Sequence, residues 1–216
     1  MTLNELLRHL RYNLLRDVTE PHLWGVDEMT RVLNEAQGLF ARRTHILTDD
    51  SSDLTVLKLE PGKPRYQLDP RIIHVLEVRD DTGRLLMDRR RRQLPRSLGE
   101  GKPLAYTLGS GASSIRFSPA PDDGYEYEML VARRPKKRLS MGHEEPEIPE
   151  EYHLTLCDWA AYRLLRNNDA EGANADAAEG FMAEWERAVT EAKRDAMRWR
   201  MGSNPNATRN WTGARR

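Results

Sequence analysis

The sequence predicts an α+β protein. Two N-terminal and two C-terminal helices form a four-helix bundle, a small antiparallel β domain is inserted between the pairs, and an extended tail follows. Three observations predict it. Apolar residues recur at three- and four-residue spacing near both ends of the 216-residue chain. Between them the pattern switches to alternation, punctuated by Pro-Gly and Asp-Thr-Gly turn signals. The final stretch from Ser203 has no periodicity. The expected boundaries are 1–53 for the first helices, 54–145 for the β insertion, 146–202 for the last helices and 203–216 for a docking tail.

The first helix carries Leu3, Leu6, Leu7, Leu10 and Leu14 on one stripe, with Thr2 as N-cap. Asp17–Gly25, with Pro21 inside, breaks it. A second helix starts after Asp27 as N-cap and presents Met29, Val32, Leu33, Ala36 and Phe40 on one face as far as Thr44. The short link favours an antiparallel pair. Alternation then marks a strand over Leu54–Glu60, a turn at Pro61-Gly62, and extended chain at Arg65–Leu68 and Ile72–Arg79, with Ile73 and Val75 on one face. Asp80–Gly83 reads as a hairpin turn returning through Arg84–Met87. Leu104–Leu108, Ser113–Phe117 and Tyr125–Arg133 complete five to seven strands. The helical period resumes at Ile148 with Pro149 in the first helical position. Leu154, Cys157, Ala161, Leu164 and Leu165 share a face. After a polar break at Asn167–Asn174, a long stripe runs through Ala178, Phe181, Trp185, Ala188, Ala192, Ala196 and Trp199.

Composition narrows the function classes. Apolar residues make up 38% of the chain and charged ones 31%, a lean supply for one compact globule of this size. No apolar run approaches the roughly 20 residues that span a bilayer, and Met1–Arg16 has no signal-peptide core. One cysteine, Cys157, excludes an internal disulfide framework and a cysteine-built zinc site. These features predict a soluble protein of a reducing compartment. The formal net charge is zero but is sorted along the chain: −3 over 1–83, +7 over 84–143, −9 over 144–195 and +5 over 196–216. Such blocks suit surfaces that meet one another.

Catalytic, cofactor and metal motifs are not found. No two of the six histidines stand at the spacing that puts two ligands on one helix face. Gly99–Pro103 lacks the spacing and the hydroxyl residue of a phosphate loop. Gly109-Ser110-Gly111 joins two strands, unlike a nucleophile elbow. Asp49, Ser51, Asp53 and Glu60 fit four positions of a calcium loop, but Leu54 stands where glycine is required. The expected catalytic, cofactor-binding and metal residues are therefore none. The charge blocks supply the candidate contact residues. These are Arg89, Arg90, Arg91, Arg92, Arg133, Arg134, Lys136, Lys137 and Arg138 on the basic side, and Glu144, Glu145, Glu147, Glu150 and Glu151 on the acidic side. In the tail Trp211, with Asn206, Arg209, Asn210, Arg215 and Arg216, has the composition of an interface anchor. An alternative reading is a nucleic-acid-binding accessory protein using the basic loops, though no aromatic residues interleave them.

Several stretches in order resemble the phage head-to-tail connector (adaptor) family. Trp24–Thr44 resembles the family helix with its A-x-R-T end, and Leu57–Asp69 the strand, Gly turn and Y-x-L segment. Ile72–Leu86 is similar to the following strand pair, Ile115–Pro121 to the I-x-F-x-P-x-P strand end, and Pro146–Ala161 to the approach to the third helix. The resemblance spans about residues 3–200; the tail and the Arg89–Arg92 run match no family pattern. It implies a non-enzymatic virion subunit of a dodecameric ring at the neck, assembled in the host cytoplasm and using no cofactor. The implied partners are further copies of the chain, the portal protein, a downstream tail or nozzle protein and packaged DNA, with no membrane. Oppositely charged blocks would then face each other across neighbouring subunits. Burial between subunits, at about 25 cal/mol per Å² of apolar surface, would supplement the lean core. The isolated chain is accordingly expected to be weakly stable when dilute and to gain stability with concentration. Ultracentrifugation and thermal melts over a concentration series check this; a highly stable, concentration-independent monomer is the contrary result.

Overall fold

A computed structural model describes residues 1–89, 99–109, 113–167 and 173–201. The fold is mixed α+β, with four α-helices and two small sheets among the described residues. The chain divides into a helical unit, Met1–Ile46 with Pro135–Arg216, and a β unit, Leu47–Arg134. The β unit thus begins and ends earlier than the expected 54–145. Thr48 and Asp49 already pair with Ala132 and Val131, whereas residues beyond Pro135 hydrogen-bond to the first helices.

In the helical unit, α1 (Leu3–Arg8) opens with Thr2 as N-cap in a reciprocal capping box with Glu5. It continues as a π-helical turn, His9–Leu14, in which the Leu15 N–H reaches back to the Leu10 carbonyl at 2.9 Å. The extra residue per turn shifts the stripe. Leu3, Leu6, Leu10 and Leu15 are buried, while Leu7 and Leu14 are only half-buried. α2 (Val26–Thr44) is capped by Gly25 in place of the expected Asp27, which instead lies in the first turn, where a carboxylate complements the helix dipole. Its expected face is fully buried from Met29 to Phe40. α3 (His153–Asn167) is preceded by a 3₁₀ turn, Glu150–Tyr152, with Pro149 in the cap position. Leu154 is exposed in place of being buried with Cys157, Ala161 and Leu164. α4 (Ala173–Met201) buries Ala178, Trp185, Val189, Ala192 and Ala196, whereas Trp199 is half-exposed.

The helices meet around Trp185, which is fully buried. Phe40 of α2 stands edge-on to it at 5.4 Å between centroids, Tyr152 lies 5.3 Å from Phe40, and Trp159 of α3 lies 6.2 Å from Trp185. Arg43 forks onto Glu186 through contacts of 2.5 and 2.6 Å, tying α2 to α4. The connection from the π-helical turn to α2 is held by a buried ion pair. Arg11 Nη1 donates to Asp17 Oδ2 at 2.9 Å and Nη2 to the Trp24 carbonyl at 2.9 Å. The Leu23 and Trp24 N–H groups donate to the same carboxylate at 3.0 and 3.3 Å. Burial opposes the charge on Asp17, but these N–H bonds and the guanidinium outweigh it, and the carboxyl is held below its ordinary pKa.

The β unit is built on its last strand. Tyr125–Arg133 (β8) pairs antiparallel with Thr48–Asp49 (β1) and Val56–Leu59 (β2) along one edge, and with Ile72–Arg79 (β4) along the other. The second sheet runs Arg65–Gln67 (β3), Ser114–Ser118 (β7), Ala105–Leu108 (β6), Met87–Asp88 (β5). Register shifts in β4 after Ile72 and after Val75 replace simple alternation, so that Ile72, Val75 and Val78 point inward and Ile73 does not. The expected return strand is also altered. After the Asp80–Gly83 turn only Leu85 and Leu86 bond back to β4, and the chain then crosses to pair parallel with β6. Tyr66, Phe117 and Tyr127 stack edge-to-face in the core between the sheets.

Removing one partner of a buried ion pair strands the other's charge, at a typical cost of about 3–5 kcal/mol. Asp17→Ala should therefore destabilise the chain by roughly that amount in urea unfolding, and Arg11→Met with Asp17→Leu should cost less than the single change. Equal losses for single and double variants would contradict the clamp.

Candidate interaction surfaces

Three of the basic and three of the acidic residues singled out in the sequence come together on the segment that re-enters the helical unit. Lys136, Lys137, Arg138 and Leu139 line one cleft with Glu144, Glu145 and Glu147. The glutamates are occupied chiefly with backbone. Glu147 Oε1 accepts from the Lys136 and Lys137 N–H groups, the latter at 3.1 Å. Glu144 Oε2 accepts from the N–H of Ser140 at 2.6 Å and of Met141 at 2.9 Å. The Met141 and Ser140 N–H groups hold the Glu144 carboxyl below the ordinary glutamate range. Lys137 and Arg138 are exposed and form no ion pair among the described residues.

Local chain geometry explains why this segment is ordered. Leu139 is buried, and the Asn34 side chain brackets it, donating to its carbonyl and accepting from its N–H, both at 2.8 Å. The Gln37 side chain accepts from the Glu147 N–H at 2.8 Å. The Leu3 and Asn4 N–H groups, left unpaired by the start of α1, donate to the carbonyls of Glu144 and Gly142 at 2.7 and 2.9 Å. Glu145 and Glu150 face the Met1 ammonium at 3.9 and 3.5 Å. Glu151 is exposed.

The other basic residues fall elsewhere. Arg133, in the β unit, is largely buried, and its Nε donates to Asp49 Oδ2 at 2.8 Å. Asp49 also accepts from the Ser51 and Ser52 N–H groups, so the stretch that matches a calcium loop at four positions forms an ion-paired turn. The Arg134 N–H donates to the Arg71 carbonyl, leaving an exposed side chain. The Arg89 N–H donates to the Tyr106 carbonyl on β6. Arg90, Arg91 and Arg92 lie outside the described residues, as do Asn206, Arg209, Asn210, Trp211, Arg215 and Arg216 of the tail. Among the described residues no cluster of three or more His, Cys, Asp or Glu side chains could hold a metal ion, and no helix is long and apolar enough to cross a membrane.

Two exposed apolar groups lie outside the expected contact residues. Tyr12, Val18, Leu23 and Val26 surround the clamped connection before α2. Met197 and Trp199 stand near the end of α4, the latter on the stripe expected to be buried. The signal of the first group in the sequence is density of large apolar side chains within a segment that has no period, and periodic analysis discards it.

These surfaces are carried by a chain whose whole length, both units included, can be compared with known proteins. The model of the SU10 adaptor protein family matches residues 1–209. The chain belongs to that family. No curated protein matches it. The match covers every described helix and strand and ends just before Asn210, so Trp211, Arg215 and Arg216 lie beyond it. Membership gives the chain a structural adaptor role in a phage particle.

Because the Glu144 pKa is lowered on folding, its hold on the Ser140–Met141 turn is complete above the ordinary glutamate value and is lost as pH falls through the lower folded one. Amide exchange should therefore show Ser140 and Met141 protected at neutral pH and unprotected in Glu144→Ala. Equal protection in the two proteins would remove the role assigned to this carboxylate.

Proposed function

We propose that the chain is one subunit of a ring, dodecameric by resemblance to its family, that sits at the neck of the virion between portal and tail and extends the channel for DNA. The observation that carries this reading is the family match over residues 1–209, which takes in both units and their connections. The two helical pairs, as a four-helix bundle, would present the portal-facing part, and the β unit a platform for the next tail or nozzle component. The domain scheme of paired helices, inserted β domain and docking tail belongs to the same proposal, as does assembly in the host cytoplasm.

Sorted charge supports association over a solitary existence, because exposed charged patches of opposite sign on one chain can be satisfied between copies. Among the described residues Lys137 and Arg138 form no ion pair, in a cleft that also holds three glutamates. That mixed surface suits a protein neighbour better than a DNA duplex, which favours a uniformly basic face. The nucleic-acid reading therefore has the weaker support.

The tail is assigned to portal docking. Trp211 with Arg209, Arg215 and Arg216 has the residue types that dominate binding hot spots. Deleting Ser203–Arg216 should abolish incorporation into heads while circular dichroism and the melting temperature stay at wild-type values. Normal incorporation of the shortened chain would refute the docking role.

A further inference from the structure

We infer that Arg200 is the positioning residue of the docking tail: its guanidinium donates to the His45 carbonyl at the end of α2 and so fixes the last turn of α4, after which the tail begins. The inference rests on the reading of Ser203–Arg216 as the portal-docking segment and adds the residue that sets where that segment starts.

The last turn of α4 has little else to hold it. Past Trp185 the buried positions of the helix are Val189, Ala192 and Ala196, and the side chains of Met197, Arg198 and Trp199 that follow are all exposed. A helix end without apolar cover frays, because its final carbonyls have no partner within the helix. The Arg198–Asp195 ion pair lies within α4 and joins it to no other element. Other fastenings come earlier: Arg43 on Glu186, and the Tyr152 hydroxyl on Asp195 Oδ2 at 2.6 Å. Among the described residues, the side-chain hydrogen bond that reaches from the final turn to another element is that of Arg200.

The receiving end is well ordered. His45 is the C-cap of α2 in the left-handed conformation, with φ 54°, and its N–H donates to the Ala41 carbonyl at 2.9 Å. The Thr44 hydroxyl donates to the Phe40 carbonyl at 2.7 Å, and the Ile46 N–H donates to that hydroxyl at 3.3 Å. Phe40, Ala41 and Thr44 are buried, so this anchor belongs to the packed core. The His45 carbonyl lies at the negative end of the α2 dipole, where a guanidinium is favoured.

Stability does not account for an arginine here. The side chain is half-buried, it forms no ion pair among the described residues, and its Nε is buried without a hydrogen-bond partner. Burial lowers its pKa, the direction expected for a cation taken from water with no carboxylate beside it. The gain of one hydrogen bond is thus set against an unsatisfied donor and a desolvated charge, terms of opposite sign and similar size. What the bond does supply is direction. A tail whose root is fixed samples fewer arrangements before it binds, and so loses less entropy on docking.

The test uses the full chain and heads assembled without it. Arg200→Met removes the donor and keeps an unbranched side chain, whereas Arg200→Lys keeps a donor for the His45 carbonyl. Arg200→Met should melt at the wild-type temperature and lose amide-exchange protection in the last turn of α4. It should also bind heads roughly tenfold more weakly, the equivalent of freeing about one residue of backbone. Arg200→Lys should recover most of that loss. Wild-type binding by Arg200→Met, or protection retained in its last turn, overturns the positioning role; tail docking then stands if the chain lacking Ser203–Arg216 still fails to bind. A melting temperature lowered in step with binding makes Arg200 a stabilising residue and also overturns the role. Normal binding by the chain lacking Ser203–Arg216 overturns the docking reading and this inference with it.

Discussion

The helical unit depends on one constraint: its chain leaves at Ile46, builds an entire β unit, and must re-enter at Pro135 in register with helices made long before. Closing so long a loop carries an entropic cost that grows only slowly with its length, but the returning segment still has to be caught. Polar side chains of α2 catch it. Asn34 makes two backbone bonds to Leu139, and Gln37 accepts from Glu147. The free N–H groups at the start of α1 take the carbonyls of Gly142 and Glu144. Once the segment is seated, α3 follows directly, and Trp159, Trp185, Phe40 and Tyr152 close into one aromatic core.

That seam also decides what the charge blocks become. The end of the basic block and the start of the acidic block meet in one turn, where the glutamates cap backbone donors. Those carboxylates are held by the backbone, and Lys137 and Arg138 stand exposed beside them. The same logic operates at Asp17, whose carboxylate holds the connection before α2 and so displays Val18 and Leu23 on a fixed frame. In both places internal order creates an outward surface, which fits a member of an adaptor family whose task is to contact neighbours.

The β unit shows a different consequence of long-range pairing. β8 is the last strand to be made and the one with which β1, β2 and β4 all pair. Its partner β4 bulges twice, and the strand after the Asp80 turn leaves β4 for β6 in the second sheet. Local turn chemistry proposed a hairpin, and pairing with the second sheet overrode it after two residues.

Much of this was legible in the residues. The face of α2, the N-cap at Thr2 and the order of helices and strands all followed from spacing, because period and capping are local properties of the chain. So did Cys157 as a buried side chain without a partner cysteine. Other features were decided only by tertiary contacts. The π-helical turn moved the stripe from Leu14 to Leu15, because its wider turn takes an extra residue to return to the same face. Arg133 left the candidate contact set for a buried pair with Asp49, a residue distant in sequence. Leu154 and Trp199 keep the helical period yet stand in solvent, since a stripe marks a face and the neighbours available determine how much of it is covered. The sequence by itself determined the elements, their order and the segregation of charge. Only the tertiary structure decided which carboxylates are taken up by backbone and which charges stand exposed, because that depends on which donors a carboxylate finds within reach after the chain has closed.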